Sequence, residues 1–386
     1  MSEYQRYEFM TVDRPLTKAQ LDAVNALSSH IEVSSTHALV EYNWGDFKHD
    51  PIDVLREFFD GFLYWANWGS PQLAFRFPHG ILPAKLIDGY NFDDFFVKFT
   101  RDREYDILNI QFGEMEAPDV WTEYDLGSLI PIRDELMEGD LRALYIVWLA
   151  VQNMMGDYDE DEDEDDEEHD ISMPPVPPGF SALTEAQKEM AALFQVPEEL
   201  LVAAGRHSAP GKMAAPTTDE DIAAWVKLLP PERSNEYLVR LAHNEPGLGR
   251  LFLRELRERN QDKTGAAPPA GERVTYARLL AESAAVKVQL ERERREQAQA
   301  ERRRHLQEVD EHRDSYWQQA DQAASRGTGT GYDEAVRILI ELREAADYFK
   351  ENQAFQARFR SWVGSHLRRP ALIKRLQAQK FTVPEM

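Results

Sequence analysis

The sequence predicts an α+β N-terminal domain, built on a ferredoxin-like βαββαβ element plus extra strands, followed by an all-α region with a long helical hairpin or coiled-coil arm. Three observations carry this. Up to about residue 112, apolar and aromatic residues alternate with polar ones, the period of a half-buried strand. From Asp157 to Asp170 twelve of fourteen residues are acidic, and Pro174, Pro175, Pro177 and Pro178 follow. Beyond that divide almost every segment has helical spacing.

Taken in order, Tyr7 and Phe9 alternate with Arg6 and Glu8, which reads as a first strand from about Glu3 to Val12. Asp13-Arg14-Pro15 turns the chain, and Thr17 is a fair N-cap for a helix carrying Leu21, Val24 and Leu27 on one face. Ile31 to Val33, a Ser34-Ser35-Thr36 turn, and a run through Ala38, Val40, Tyr42 and Trp44 read as two strands or one long bent strand. Asp50-Pro51 opens a helix showing Ile52, Leu55, Phe58 and Phe59, and a strand through Phe62, Tyr64, Ala66 and Trp68 follows. Strand, helix, strand, strand, helix, strand is the order of a split βαβ unit. Further strands run through Leu73 to Phe77, Phe95 to Phe99 and Leu108 to Phe112. A helix from about Arg133 or Gly139 to Met155, apolar nearly all round, closes a domain over residues 1–156.

Residues 157–179 read as a solvated, extended tether, because so dense a run of like charge repels itself and prolines cannot continue a helix. A small helical domain is expected over 180–262, with helix starts at Thr184, Val196-Pro197-Glu198 and Thr218, and a second linker at Gly265 to Gly271. One long helix is expected from Glu272 to about Ala324, and Gly327-Thr328-Gly329-Thr330-Gly331 breaks it. A partner helix from Tyr332 to Trp362 completes an antiparallel hairpin within residues 272–380. Glu291 to Arg304 lacks an apolar seam, so an arm projecting into solvent is expected, with Leu306, Val309, Trp317, Leu339 and Leu342 knitting its tip.

Composition narrows the function classes. The formal charge of −25 argues against general nucleic-acid affinity, yet Phe355 to Lys380 carries seven cations and no acid. Without cysteine there are no disulfides, thiol nucleophiles or thiolate metal sites. Neither a signal peptide nor an apolar run of membrane-spanning length is read, so a cytoplasmic protein is expected.

Motifs carrying chemistry are scarce. Asp157, Asp159, Asp161 and Glu168 fall at calcium-loop positions, but Glu162 stands where the loop needs glycine. His305, Glu308, His312 and Glu301 share a helix face, with the histidines seven apart instead of the four a zinc helix uses, so a solvated face is the reading. Asp46, His49, Asp50 and Asp53 cluster around a turn and a helix start, where the acids are explained by capping and the helix dipole. Gly327 to Gly331 follows a helix, whereas a phosphate loop follows a strand. No cofactor and no metal or catalytic residues are assigned. Candidate partner-binding residues are Arg358, Arg360, Arg368, Arg369, Lys374, Arg375 and Trp317; the candidate head surface is Trp44, Asp46 and Asp50.

Several stretches resemble a family of uncharacterised bacterial proteins: Met1 to Gln5, Tyr7-Glu8-Phe9, Asp13-Arg14-Pro15-Leu16-Thr17, Tyr42-Asn43-Trp44-Gly45-Asp46-Phe47-Lys48, Asp50-Pro51, Ala66-Asn67-Trp68-Gly69, Gly139 to Tyr145 and Pro174 to Gly179. Members of that family are often encoded near SWIM-type zinc-finger proteins, sometimes with MoxR-type ATPases and von Willebrand A proteins, so the resemblance implies a partner of such a system. The leading expectation is a non-enzymatic adaptor of a bacterial multiprotein system. The alternative is a nucleic-acid-associated accessory factor using the basic C-terminus, and a third is an enzyme with its site around Tyr42 to Asp53.

Overall fold

The computed structural model describes residues 3–82, 87–113, 115, 123–159, 173–210, 218–243, 248–260 and 274–383. The chain parts into two compact units, Met1–Lys287 and Val288–Met386.

In the first unit one antiparallel sheet holds β1 (Gln5–Met10), β2 (Ile31–Val33), β3 (His37–Tyr42), β4 (Gly61–Ala66), β5 (Gln72–Pro78), β6 (Val97–Arg101) and β7 (Tyr105–Gln111). The strand order is β2-β3-β1-β4-β5-β7-β6. Tyr7 of β1 lies opposite Val40 on one side and Tyr64 on the other. Helix α1 (Lys18–Asn25) joins β1 to β2, and α2 (Pro51–Phe58) joins β3 to β4. Both starts are fixed locally: Thr17 and Gln20 cap each other, and Asp50 accepts the Ile52 N–H at 2.8 Å. Their apolar residues Val24, Val54 and Leu55 bury with Tyr7, Phe9, Val40 and Phe62 in one core.

Alternation places Glu8 on the opposite, supposedly solvated face. Instead it is buried, accepting the Leu126 N–H at 3.1 Å, with His37 Nε2 at 2.7 Å and Arg6 at 3.3 Å. A second helical layer causes this. Helix α3 (Leu126–Leu129) packs on β1 and β4. Gly61 lies beneath it, where a Cβ would overlap Ile130 Cδ1. Of the two starts open for the helix up to Met155, the later is the one found: α4 (Pro131–Met137) is separate from α5 (Arg142–Asp159), parted at Gly139, whose φ is +90°.

The tether expected at 157–179 is altered at both ends. Helix α5 runs to Asp159, three residues into the acidic run, and 160–172 lie outside the described residues. The prolines beyond do not hang free. Met173 N–H donates to the Val274 carbonyl at 3.3 Å, Ser208 Oγ donates to the Pro177 carbonyl at 2.7 Å, and Phe180 packs edge-on to Tyr145. Helices α6 (Glu185–Leu193) and α7 (Glu198–Arg206) follow, α6 packing on α3, α4 and α5, while the Phe194 ring packs on Phe112 at 4.9 Å. Apolar residues past the prolines therefore return the chain to the sheet unit, and the expected domain edge at 156 is not where the compact units part. Helices α8 (Asp219–Lys227), α9 (Pro231–Ala242) and α10 (Leu248–Asn260) form a small group in which α10 touches both others. The second expected linker, 265–271, lies outside the described residues.

Helix α11 (Tyr276–Glu311) leads into the second unit, which adds α12 (Arg313–Ser325), α13 (Gly329–Tyr348), α14 (Asn352–His366) and α15 (Pro370–Ala378). The expected long helix therefore ends at His312, and the return helix breaks at Lys350, whose φ is +62°. Helices α12 and α13 pack antiparallel across Gly327, with Thr328 accepting the Gly331 N–H at 3.1 Å. Glu291 to Arg304 is exposed throughout, as its composition requires. Leu306, Val309, Trp317, Leu339 and Leu342 do cluster, but with Phe355, Phe359, Trp362, Leu372 and Leu376 in a several-helix core. The apolar stripes of α14 and α15 cover what a two-helix arm would leave open.

Candidate functional site

Four charged residues from distant segments meet inside the sheet unit. Asp60, between α2 and β4, accepts the N–H groups of Val12 at 2.7 Å and Asp13 at 2.9 Å through one oxygen. Its other oxygen accepts from Arg76 of β5 at 2.9 Å and lies 3.8 Å from Arg133 of α4. Arg133 is fully buried, donating to the Arg76 carbonyl at 2.7 Å and through both terminal nitrogens to Asp13 at 2.7 and 3.2 Å. Burial works to raise the Asp60 pKa, but Arg133, Arg76 and the two backbone N–H groups outweigh it and hold the carboxyl below its ordinary value. Arg76 also donates to the Arg56 carbonyl at 2.7 Å and lies 4.3 Å over the Tyr105 ring, yet its buried Nε has no hydrogen-bond partner. An unmet buried donor costs about 1–3 kcal/mol. Beside this group is a polar cavity of about 320 Å³, lined by Asp13, Arg14, Glu57, Asp60, Arg76 and Tyr105 among others.

The candidate head surface is a loop between β3 and α2. Trp44 is 72% exposed, Asp46 accepts from Gln5 Nε2 at 3.0 Å, and Asp50 caps α2. Among the described residues no group of three or more His, Asp or Glu is placed to hold a metal.

The C-terminal candidates divide. Trp317 is buried in the helical core, with Arg358 over its ring at 5.3 Å and paired with Asp314. Arg369 donates to the Ala324 carbonyl, and Arg375 pairs with Asp333 at 2.6 Å. These cations hold helices together. Arg360, Arg368 and Lys374 are exposed, with no carboxylate partner among the described residues.

A different surface stands out on α9. Tyr237 is buried, its ring packing on Phe252 at 4.6 Å, while Arg233 grips Glu255 of α10 at 2.6–3.1 Å. Hydrogen bonds from Arg233 pull Glu255 down to about 2 against the opposing effect of burial, with Tyr237 and Arg259 adding to the pull. That inner face fixes the helix. On the remaining surface, Leu238, Val239 and Leu241 are 61%, 57% and 63% exposed, and Leu228 just before the helix is 73% exposed. At 3.6 residues per turn the three helical side chains span an arc of about 160°, bordered by exposed Glu232 and Glu236.

Sequence reasoning missed both features. The charged cluster joins residues up to 120 positions apart, as in the Arg133–Asp13 contact, and no local pattern announces that. The sequence reads as a helix over about Glu232 to His243, matching α9, but periodicity does not say which face turns outward. The chain matches no protein-family model, and neither a curated protein nor a solved structure is significantly similar to it.

Proposed function

We propose that the protein is a non-enzymatic adaptor that binds a protein partner through the outer face of α9. The observation that supports this reading is the arc of Leu238, Val239 and Leu241 left in solvent on a helix whose inner face is already engaged. Fully burying each such side chain contributes about 1.5–3 kcal/mol. The acids beside the arc, Glu232 and Glu236, favour a partner with an apolar ridge flanked by Lys or Arg. By the family resemblance, that partner belongs to a SWIM-type zinc-finger system, with a MoxR-type ATPase or von Willebrand A protein alongside it, in the cytoplasm.

Two finer points of architecture belong to the same reading. The β2-β3-β1-β4 order, with α1 and α2 as the two crossovers, supports a ferredoxin-like unit as the frame of the head. The pairing of α12 with α13, extended by His305 with Glu341 at 3.4 Å, supports a coiled-coil element at the base of the second unit.

The test is co-expression with the neighbouring SWIM-type protein and measurement of affinity for wild type, Leu238→Asp with Leu241→Asp, and Trp44→Ala. The double variant should lose at least about tenfold, or about 1.4 kcal/mol, while Trp44→Ala binds as wild type. Unchanged binding by the double variant would remove α9 from the account. Exposed Arg360, Arg368 and Lys374 favour a second reading, a nucleic-acid accessory role. A salt-dependent mobility shift with DNA or RNA, abolished by changing all three to Gln, would support that role instead.

A further inference from the structure

We propose that the polar cavity beside Arg76 binds a small zwitterion of the α-amino-acid class. The adaptor reading uses none of it. The cavity opens between the β1–α1 loop, the end of α2, and strands β5 and β7, and its volume of about 320 Å³ lies at the small end of ligand sites. That volume has room for an amino acid.

The charges around it fall into two groups. Deep in the cavity, Asp60 and Asp13 are neutralised by Arg76 and Arg133, so they offer no net attraction to a cation. What remains unmet there is one donor, the Nε of Arg76, on a side chain nine-tenths buried. At the rim stand two exposed ionic side chains of opposite sign, Arg14 and Glu57. Neither has an ion-pair partner among the described residues, and they do not pair with each other. One free cation and one free anion at the rim match a ligand carrying one carboxylate and one ammonium. The carboxylate goes to Arg14 on the Arg76 side, where planar guanidinium donors suit it. The ammonium goes to Glu57. Thr17 and Gln20, also on the wall, are spent on capping α1 and add no competing charge.

The experiment is calorimetric titration of the full-length protein with each free proteinogenic amino acid at low ionic strength. The tightest is then repeated as its N-acetyl derivative, which lacks the ammonium, and as its amide, which lacks the carboxylate. Two variants, Arg14→Gln and Glu57→Gln, change exposed side chains only, and a thermal melt checks their fold. The proposal expects saturable one-to-one binding of at least one free amino acid. Arg14→Gln weakens the free and N-acetyl forms by about tenfold or more. Glu57→Gln weakens the free form and the amide but leaves the N-acetyl form unchanged. Absence of saturable binding by every amino acid at millimolar concentration overturns the proposal, and so does binding that both variants leave untouched.

Discussion

Arg133 holds together segments that the sequence keeps far apart, touching the loop after β1, strand β5 and the residue before β4 at once. Replacing it with methionine keeps an unbranched apolar stem, leaves Asp13 without its buried partner and leaves Asp60 to Arg76 alone. Breaking a buried pair from one side costs about 3–5 kcal/mol, so Arg133→Met should lower the urea-unfolding free energy by that order. A loss under about 1 kcal/mol would show that the cluster contributes little. The Asp60 carboxylate predicts acid sensitivity. Because its folded pKa lies below the ordinary value, its stabilisation is complete above about pH 4, the unfolded Asp value, and is lost as pH falls through the lower folded value. Glu8 adds to this in the same direction: burial would raise it, but the hydrogen bonds from His37 and the Leu126 N–H, with Arg6 nearby, outweigh burial. Thermal melts should therefore be insensitive to pH between neutrality and about 5 on this account and fall steeply below about 4. A midpoint unchanged down to about pH 3 would contradict the assignment.

At the scale of elements, the sharpest constraint is the turn between α12 and α13. A Cβ on Gly331 would lie 2.6 Å from the Ala323 carbonyl oxygen, and backbone cannot move aside cheaply. Gly331→Ala should destabilise the second unit by about 1–3 kcal/mol, read as earlier loss of helical circular dichroism in urea. An unshifted transition would mean the two helices are not held this closely. Local signals such as the caps at Thr17, Asp50, Thr184 and Thr218 were legible in the sequence because cap and partner lie within three residues. Strands such as β1 and β3 were legible because apolar and polar residues alternate along them. Non-local consequences were not. Glu8 reads as solvated until α3 covers it, and the break at Lys350 has neither glycine nor proline to announce it. A lysine there takes the left-handed position that glycine usually fills. For the candidate surfaces the lesson is the same: the basic C-terminal residues were visible as charge, while their ion pairs across helices were not.

Across the whole molecule, charge and apolar surface are assigned to different places. Among the described residues the buried charges brace the sheet unit, the helical unit carries its own apolar core, and no helix is long and apolar enough to cross a membrane. Among the described residues, α9 leaves three large apolar side chains in solvent within four positions. The central claim is that a protein partner covers them. Hydrogen exchange, followed by mass spectrometry on the free protein and on the complex isolated from its native cells, addresses that claim whatever the partner's identity. The account predicts that amides of residues 231–242 become protected in the complex by about tenfold or more, with no comparable change in α14 and α15. Protection confined to residues 355–380, with α9 exchanging as fast in the complex as in the free protein, would contradict it.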